Sequence, residues 1–200
     1  MGLHRSFVHG NSAYLEHTGS HAATGKHSVK SAFNDDYGDL IDLGGHAGAA
    51  CLRLGWGARF VVFDTGSKNF EKSGSFWCHY AIPTPAIEDG FRATASNVRI
   101  NYESTDIQEI SISRVHVWDG NRNIFIDNSP TRSADDFNGG ISGHSWNAAT
   151  PNLTKIWTGN INQQVYFGVG VSILIRAQRS RDSFLEIRSV GVDFNMRERR

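Results

Sequence analysis

From Val165 to Arg176 the chain alternates without a break. Val165, Phe167, Val169, Val171, Ile173 and Ile175 point one way, and Tyr166, Gly168, Gly170, Ser172, Leu174 and Arg176 point the other. Side chains on a strand change sides at every residue, so this pattern demands a strand with one face in a core and the other at least partly open. The two-residue period recurs after residue 51. Arg59-Phe60-Val61-Val62-Phe63 stops at the turn cluster Asp64-Thr65-Gly66, and Phe76 to Ile82 stops at Pro83. Val98 to Tyr102, Ile110 to Ile112 and Val115 to Trp118 follow, and the turn Asp119-Gly120-Asn121 leads back through Ile124-Phe125-Ile126 as a hairpin would. The step from Ile112 to Arg114 breaks the alternation and predicts a bulge near Ser113. Leu185-Glu186-Ile187 followed by Val190 to Phe194 shifts phase in the same way.

Nowhere is a three-and-four apolar spacing sustained over three turns with a cap before it and a glycine after it, so helix is scarce. Short strands divided by turn residues, with no helices between them, predict an all-β fold. The expected form is an antiparallel β-sandwich of jelly-roll or Greek-key connectivity, with a closed barrel as the alternative. No internal repeat of fixed period is present, which disfavours propellers and β-solenoids. Residues 1–50 differ in character, being rich in Gly, Ser, Ala, Asp and His with little regular apolar spacing. They read as N-terminal strands around Gly10-Asn11, formed by Phe7-Val8-His9 and Ala13-Tyr14-Leu15, plus a loop-rich polar insertion in which Leu40 to Leu43 is a short apolar run. The sandwich then occupies 51–194, and 195–200 is a charged tail.

Composition narrows the function classes. The 200 residues carry 20 basic and 20 acidic side chains, and a formal charge of zero argues against a nucleic-acid or anionic-membrane binder. No run approaches the ~20 apolar residues of a spanning helix, and no apolar stretch follows Met1-Gly2-Leu3 as in a secretory signal, so the default expectation is cytoplasmic. Cys51 and Cys78 are too few for a disulfide framework. Neutrality is itself a cancellation, with acids at Asp35 to Asp42 and arginines at Arg176 to Arg200; opposite patches favour contacts between copies, hence a homo-oligomer.

Five landmarks occur in order: His9-Gly10-Asn11, Leu54-Gly55-Trp56-Gly57, Phe76-Trp77-Cys78-His79-Tyr80-Ala81-Ile82-Pro83-Thr84-Pro85, Val115-His116-Val117-Trp118-Asp119-Gly120 and Gly168-Val169-Gly170-Val171-Ser172. Together they resemble a family of small, mostly microbial domains of unknown function, and the resemblance implies a β-sandwich over about residues 51–194. Thr18 to Ala50 stands as an insertion relative to that pattern. The family has no assigned activity, so the resemblance implies no chemistry.

The chemistry-bearing residues divide into decoys and one constellation. His17 and His21 have the i, i+4 spacing of a helical zinc pair and His27 follows as a third donor would, but Thr18 stands where the general-base Glu belongs and Gly19 and Gly25 weaken a helix. A solvated polar loop is the plainer reading. Gly19 to Ser28 is one residue too long for a phosphate loop, and His27 replaces its Ser or Thr. Leu43 to Ala50 imitates a dinucleotide fingerprint, yet only Ala49 to Leu54 is free to form its helix. Cys78 lies in an apolar strand, where a thiol is usually inert packing.

Two histidines each alternate with a tryptophan. If Phe76, Cys78, Tyr80 and Ile82 face inward, Trp77 and His79 share the other face; Val115 and Val117 inward likewise leave His116 and Trp118 together, with Asp119 beside them. On one sheet face these residues form a stacking platform for a sugar or an interface with another subunit. The plainer reading, which a single sequence favours, buries one of the strands on both faces with its Trp in the core and its His bonded to a carbonyl. The expected function is a non-enzymatic binding or structural module without a cofactor, contacting a glycan, a protein or copies of itself. The alternative is a cupin-like metal-dependent enzyme using His79 and His116, although the His-x-His pair of such a site is missing.

Overall fold

The computed structural model describes residues 2–16, 26–31, 34–42, 47–64, 74–85, 92–104, 110–128, 155–177 and 183–196. Its strands are β1 (Gly2–His9), β2 (Tyr14–Leu15), β3 (Lys26–Ser31), β4 (Asn34–Asp42), β5 (Ala47–Leu54), β6 (Gly57–Asp64), β7 (Gly74–Ile82), β8 (Thr94–Ser104), β9 (Ile110–Asp119), β10 (Arg122–Asp127), β11 (Lys155–Gln164), β12 (Val169–Ala177) and β13 (Phe184–Met196). Two antiparallel sheets pack face to face as an all-β sandwich. The larger runs β11-β8-β13-β6-β5-β4-β3 with β1 also paired to β13, and the smaller runs β10-β9-β12-β7-β2. Among the described residues no helix is long and apolar enough to cross a membrane.

Period two builds the core. Val98, Ile100 and Tyr102 from β8 and Val190, Val192 and Phe194 from β13 meet the inward faces of β7, β9 and β12. Phe60 of β6 packs on Phe76 of β7 across the two sheets, with ring centroids 5.4 Å apart. Each such aliphatic or aromatic side chain contributes about 1.5–3 kcal/mol by leaving water. At one side the two edge strands converge: Phe125 of β10 lies 6.1 Å from Trp157 of β11, and Gly159 leaves the space that both rings fill.

Both expected phase shifts are bulges. On β9 the register passes from Arg114 to Ile112, leaving Ser113 as the extra residue, and its hydroxyl donates to the Leu174 carbonyl at 3.2 Å. On β13 it passes from Ile187 to Ser189, which frees Arg188 to pair with Glu186 and Glu103. The second bulge marks a change of neighbour. β13 pairs with β6 up to Ile187 and with β1 from Ser189 onward. Both partner chains need glycine there, since a Cβ on Gly10 would stand 1.7 Å from the Ile187 carbonyl oxygen and one on Gly57 2.5 Å from it.

The N-terminal region departs from its reading as a loop-rich arm. β3, β4 and the first half of β5 fall within residues 26–50 and join the larger sheet as successive hairpins, so that sheet does not begin at residue 51. Pairing through main-chain N–H and C=O groups needs no apolar alternation, which is why the composition concealed it. Around Gly10-Asn11 two short strands do form, but they pair apart: β1 joins the larger sheet and β2 the smaller, and the 3-10 turn Gly10–Ser12 carries the chain between layers. Ala49 to Leu54, where a dinucleotide fingerprint would need a helix, is strand.

Gly10→Ala is expected to destabilise the fold by about 3 kcal/mol, because its Cβ would meet main chain that cannot rotate away. Gly55→Ala, with nothing within 4 Å of the added carbon, is expected to stay within about 0.5 kcal/mol of wild type. Urea unfolding of both variants checks the contrast.

Candidate functional site

β12 lies between β7 and β9, and its register puts three residues in each row of the smaller sheet. Ser172 stands opposite His79 on one side and His116 on the other, Leu174 lies between Trp77 and Arg114, and Gly170 between Ala81 and Trp118. Residues in a row share a face. With Phe76, Cys78, Tyr80, Val115 and Val117 buried, Trp77, His79, His116 and Trp118 emerge on the open side. The large rings rise from β7 and β9, whereas β12 offers Gly170 and Ser172 between them. The outcome is an open groove of about 520 Å³ lined by Glu16, Trp77, His79, His116, Trp118 and Ser172.

The rings form a continuous series. His116 reaches across β12 to Trp77, centroid to centroid 4.8 Å, and lies 6.0 Å from Trp118 on its own strand; Trp77 and His79 are 6.4 Å apart and nearly parallel. These separations fall in the range where aromatic pairs attract.

A polar chain crosses the same groove. The His79 Nδ1 is 2.9 Å from the Ser172 hydroxyl and its Nε2 is 3.5 Å from a Glu16 carboxylate oxygen. With the Nε2 proton facing Glu16, Nδ1 accepts the hydroxyl hydrogen of Ser172. Glu16 is delivered by β2, which pairs with β7 at His79 and Cys78, and its own N–H donates to the Trp77 carbonyl at 3.1 Å. A serine on an imidazole backed by a carboxylate is the setting for a nucleophile, but acyl transfer also needs N–H donors for the oxyanion. β12 is paired on both sides from Val169 to Ala177, and at its start the Val169 N–H donates to the Thr84 hydroxyl at 2.9 Å, so its main-chain N–H groups are already committed.

His116 differs from His79 in having an unused atom. Its Nε2 is buried and has no hydrogen-bond partner among the described residues. Burial, reinforced by the Arg114 guanidinium, holds its pKa below the usual imidazole value. A neutral ring donates at one nitrogen and accepts at the other, and this buried Nε2 meets a ligand's hydroxyl or amide group only where a neighbouring ring turns aside.

The reading in which one Trp-bearing strand is buried on both faces is overturned: β7 and β9 each have one buried and one partly open face, and the strand between them supplies the groove floor. Asp119 is not with the other four candidates. It follows Val115 and Val117 inward, is fully buried, and its carboxylate accepts from the Tyr166 N–H (2.9 Å), the Phe167 N–H (2.7 Å) and Arg122 (3.1 Å). His17 and His21 lie outside the described residues, and the backbone of His27 is in β3. Among the described residues no three His, Cys, Asp or Glu side chains are grouped to hold a metal. Cys78 is buried with its thiol pKa pushed far up by desolvation. Glu16 and Ser172 were missed as site residues. Ser172 and Gly170 had a signal in the small residues on the open side of β12, whereas Glu16 had none, because its place depends on the crossing from β1 to β2.

Because the fold disfavours the charged form of His116, the folded state takes up that proton less readily than the unfolded chain, whose imidazole titrates near 6.5. This contribution to stability is therefore complete above that value and is lost as pH falls toward the lower folded-state value. Urea midpoints measured from about pH 8 down to about pH 5 are expected to fall more steeply for wild type than for His116→Gln. No family model matches this chain and no curated protein matches it, so the geometry of the groove carries the functional reading.

Proposed function

We propose that this chain is a non-enzymatic binding module that holds a glycan in the groove of its smaller sheet. The observation that carries this reading is the ring series Trp118, His116 and Trp77 at contact distances beside the small floor of β12. Indole faces match the C–H faces of a sugar ring, and imidazole and hydroxyl groups match its hydroxyls, since both sides can donate and accept. An open groove also suits a polar ligand that stays partly hydrated.

Hydrolysis of that ligand is disfavoured by the same inventory. Glycoside cleavage uses a pair of carboxyl groups, and Glu16 is the one carboxylate among the described residues lining the groove. For the cupin-like alternative, both ring nitrogens of His79 are already engaged, with Ser172 and with Glu16. Self-association is a separate proposal that rests on the divided charge along the chain; light scattering is expected to give more than the monomer mass at low salt and a smaller mass at high salt.

A glycan array followed by calorimetry with the strongest hit tests the binding reading. Trp77→Ala and Trp118→Ala are each expected to weaken binding about tenfold, the loss of one stacking contact of about 1.4 kcal/mol. Gly170→Val is expected to abolish binding while leaving the fold intact, because a Cβ there meets only the Tyr80 carbonyl oxygen, 4.0 Å away, and the branched side chain then occupies the floor. Full affinity in all three variants, or no glycan bound at all, overturns the proposal.

A further inference from the structure

The contact between His116 and Trp77 runs across the strands, where the neighbouring ring contacts run along them. Trp77 and His79 are both on β7, and His116 and Trp118 are both on β9, but His116 and Trp77 meet over β12, whose two neighbours lie roughly 9.6 Å apart at the usual strand spacing. Trp77 stands in the Leu174 row and His116 in the Ser172 row, so the rings lean diagonally over the strand and meet with their planes at 51°. Beneath them Ser172 is 7% exposed, whereas Gly170, the next residue on that face, is half-buried. The contact therefore closes over the Ser172 and Leu174 rows and leaves the Gly170 row uncovered.

Two opposing effects act on this closure. Ring packing favours it. Against it stands the buried His116 Nε2, which has no hydrogen-bond partner among the described residues, and a polar atom taken from water without a replacement bond is a standing penalty. A protonated imidazole bears that penalty as a charge, with a proton on each nitrogen, beside the Arg114 guanidinium of its own strand. The packed elements do not offset it. β12 sets Gly170, Ser172 and Leu174 beside the ring, and Arg176, two rows from Ser172, adds positive charge. β10 places Ile126 opposite His116 and turns Asp127 to the other face with Val115. β7 contributes Trp77 and His79, and the Glu16 carboxylate lies on the His79 Nε2.

We propose that Trp77 and His116 form a latch over β12 that protonation of His116 releases, uncovering the Ser172 and Leu174 rows in acid. Release needs only a change of side-chain rotamer, which brings the imidazole to water and leaves the indole without its partner. The floor is then open from Gly170 to Leu174, and Nε2 gains water as a hydrogen-bond partner. The latch sets the shape of the groove before anything binds. It is tested without a ligand and stands apart from the glycan reading.

The test is acrylamide quenching of tryptophan fluorescence on the full chain, with the Trp77 signal taken as the difference between wild type and Trp77→Phe. Quenching of Trp77 is expected to rise about threefold from about pH 8 to about pH 5, across the range in which imidazoles titrate, while circular dichroism stays constant. His116→Phe keeps a ring against Trp77 but takes up no proton, and is expected to hold the low value throughout. Arg114→Gln removes the neighbouring cation and is expected to move the rise to higher pH, a second check that leaves both latch residues in place. Quenching that is flat with pH, or that falls in acid as a cation drawn onto the indole face would make it fall, overturns the latch. An equal rise in His116→Phe, or a rise that coincides with loss of the strand signal, overturns it as well.

Discussion

β12 is the strand on which the rest of this molecule depends. It is paired on both sides, to β7 and to β9, so its backbone is fully used and its two faces carry different duties. Inward, Val169, Val171, Ile173 and Ile175 lie in the centre of the core. Outward, Gly170 and Ser172 leave the space over which neighbouring rings lean. One alternating pattern therefore supplies both packing and groove, and moving the register by one residue would exchange them.

The larger sheet meets a different constraint, since β13 must serve two partners along one edge. Antiparallel pairing with β6 ends and pairing with β1 begins at the Arg188 bulge, and the close approach there leaves no room for a Cβ on Gly10 or Gly57. This junction also reaches the candidate site. The turn beginning at Gly10 sends the chain from β1 in one sheet to β2 in the other, and β2 is what carries Glu16 to His79. A packing requirement in one layer thereby places a polar group on the outer surface of the opposite layer.

What was legible in the sequence follows from what side-chain periodicity encodes. It encodes faces, so Trp77, His79, His116 and Trp118 could be placed on one side of their strands, and both bulges could be located from their broken phase. It does not encode neighbours, so the strand separating β7 from β9, and with it the groove, became visible only in the fold. Asp119 shows the same limit from another direction: parity with Val115 and Val117 already sends it inward, but a carboxylate beside a tryptophan reads as a surface group until its buried partners are seen. β3 was illegible, and of β4 only the apolar run from Leu40 showed, because backbone pairing leaves no trace in apolar spacing.

The balance of charge takes on a different meaning once the acids are located. Glu186 accepts from Arg59 and Arg188, Glu103 pairs with Arg188, Asp193 pairs with Arg99, and Asp119 pairs with Arg122. All four acids are buried, and each buried carboxylate needs its cation, since removing one partner of such a pair costs about 3–5 kcal/mol. Desolvation even pushes Glu103 up against the opposing pull of Arg188. None of these acids or their cations is among the residues lining the groove. Among its described lining residues the groove keeps a single carboxylate, held beside an imidazole, and a second imidazole whose surroundings favour its neutral form. A surface of rings, one hydroxyl and one carboxylate gives little hold to an anionic ligand, and it is complementary to one that is polar, uncharged and ringed.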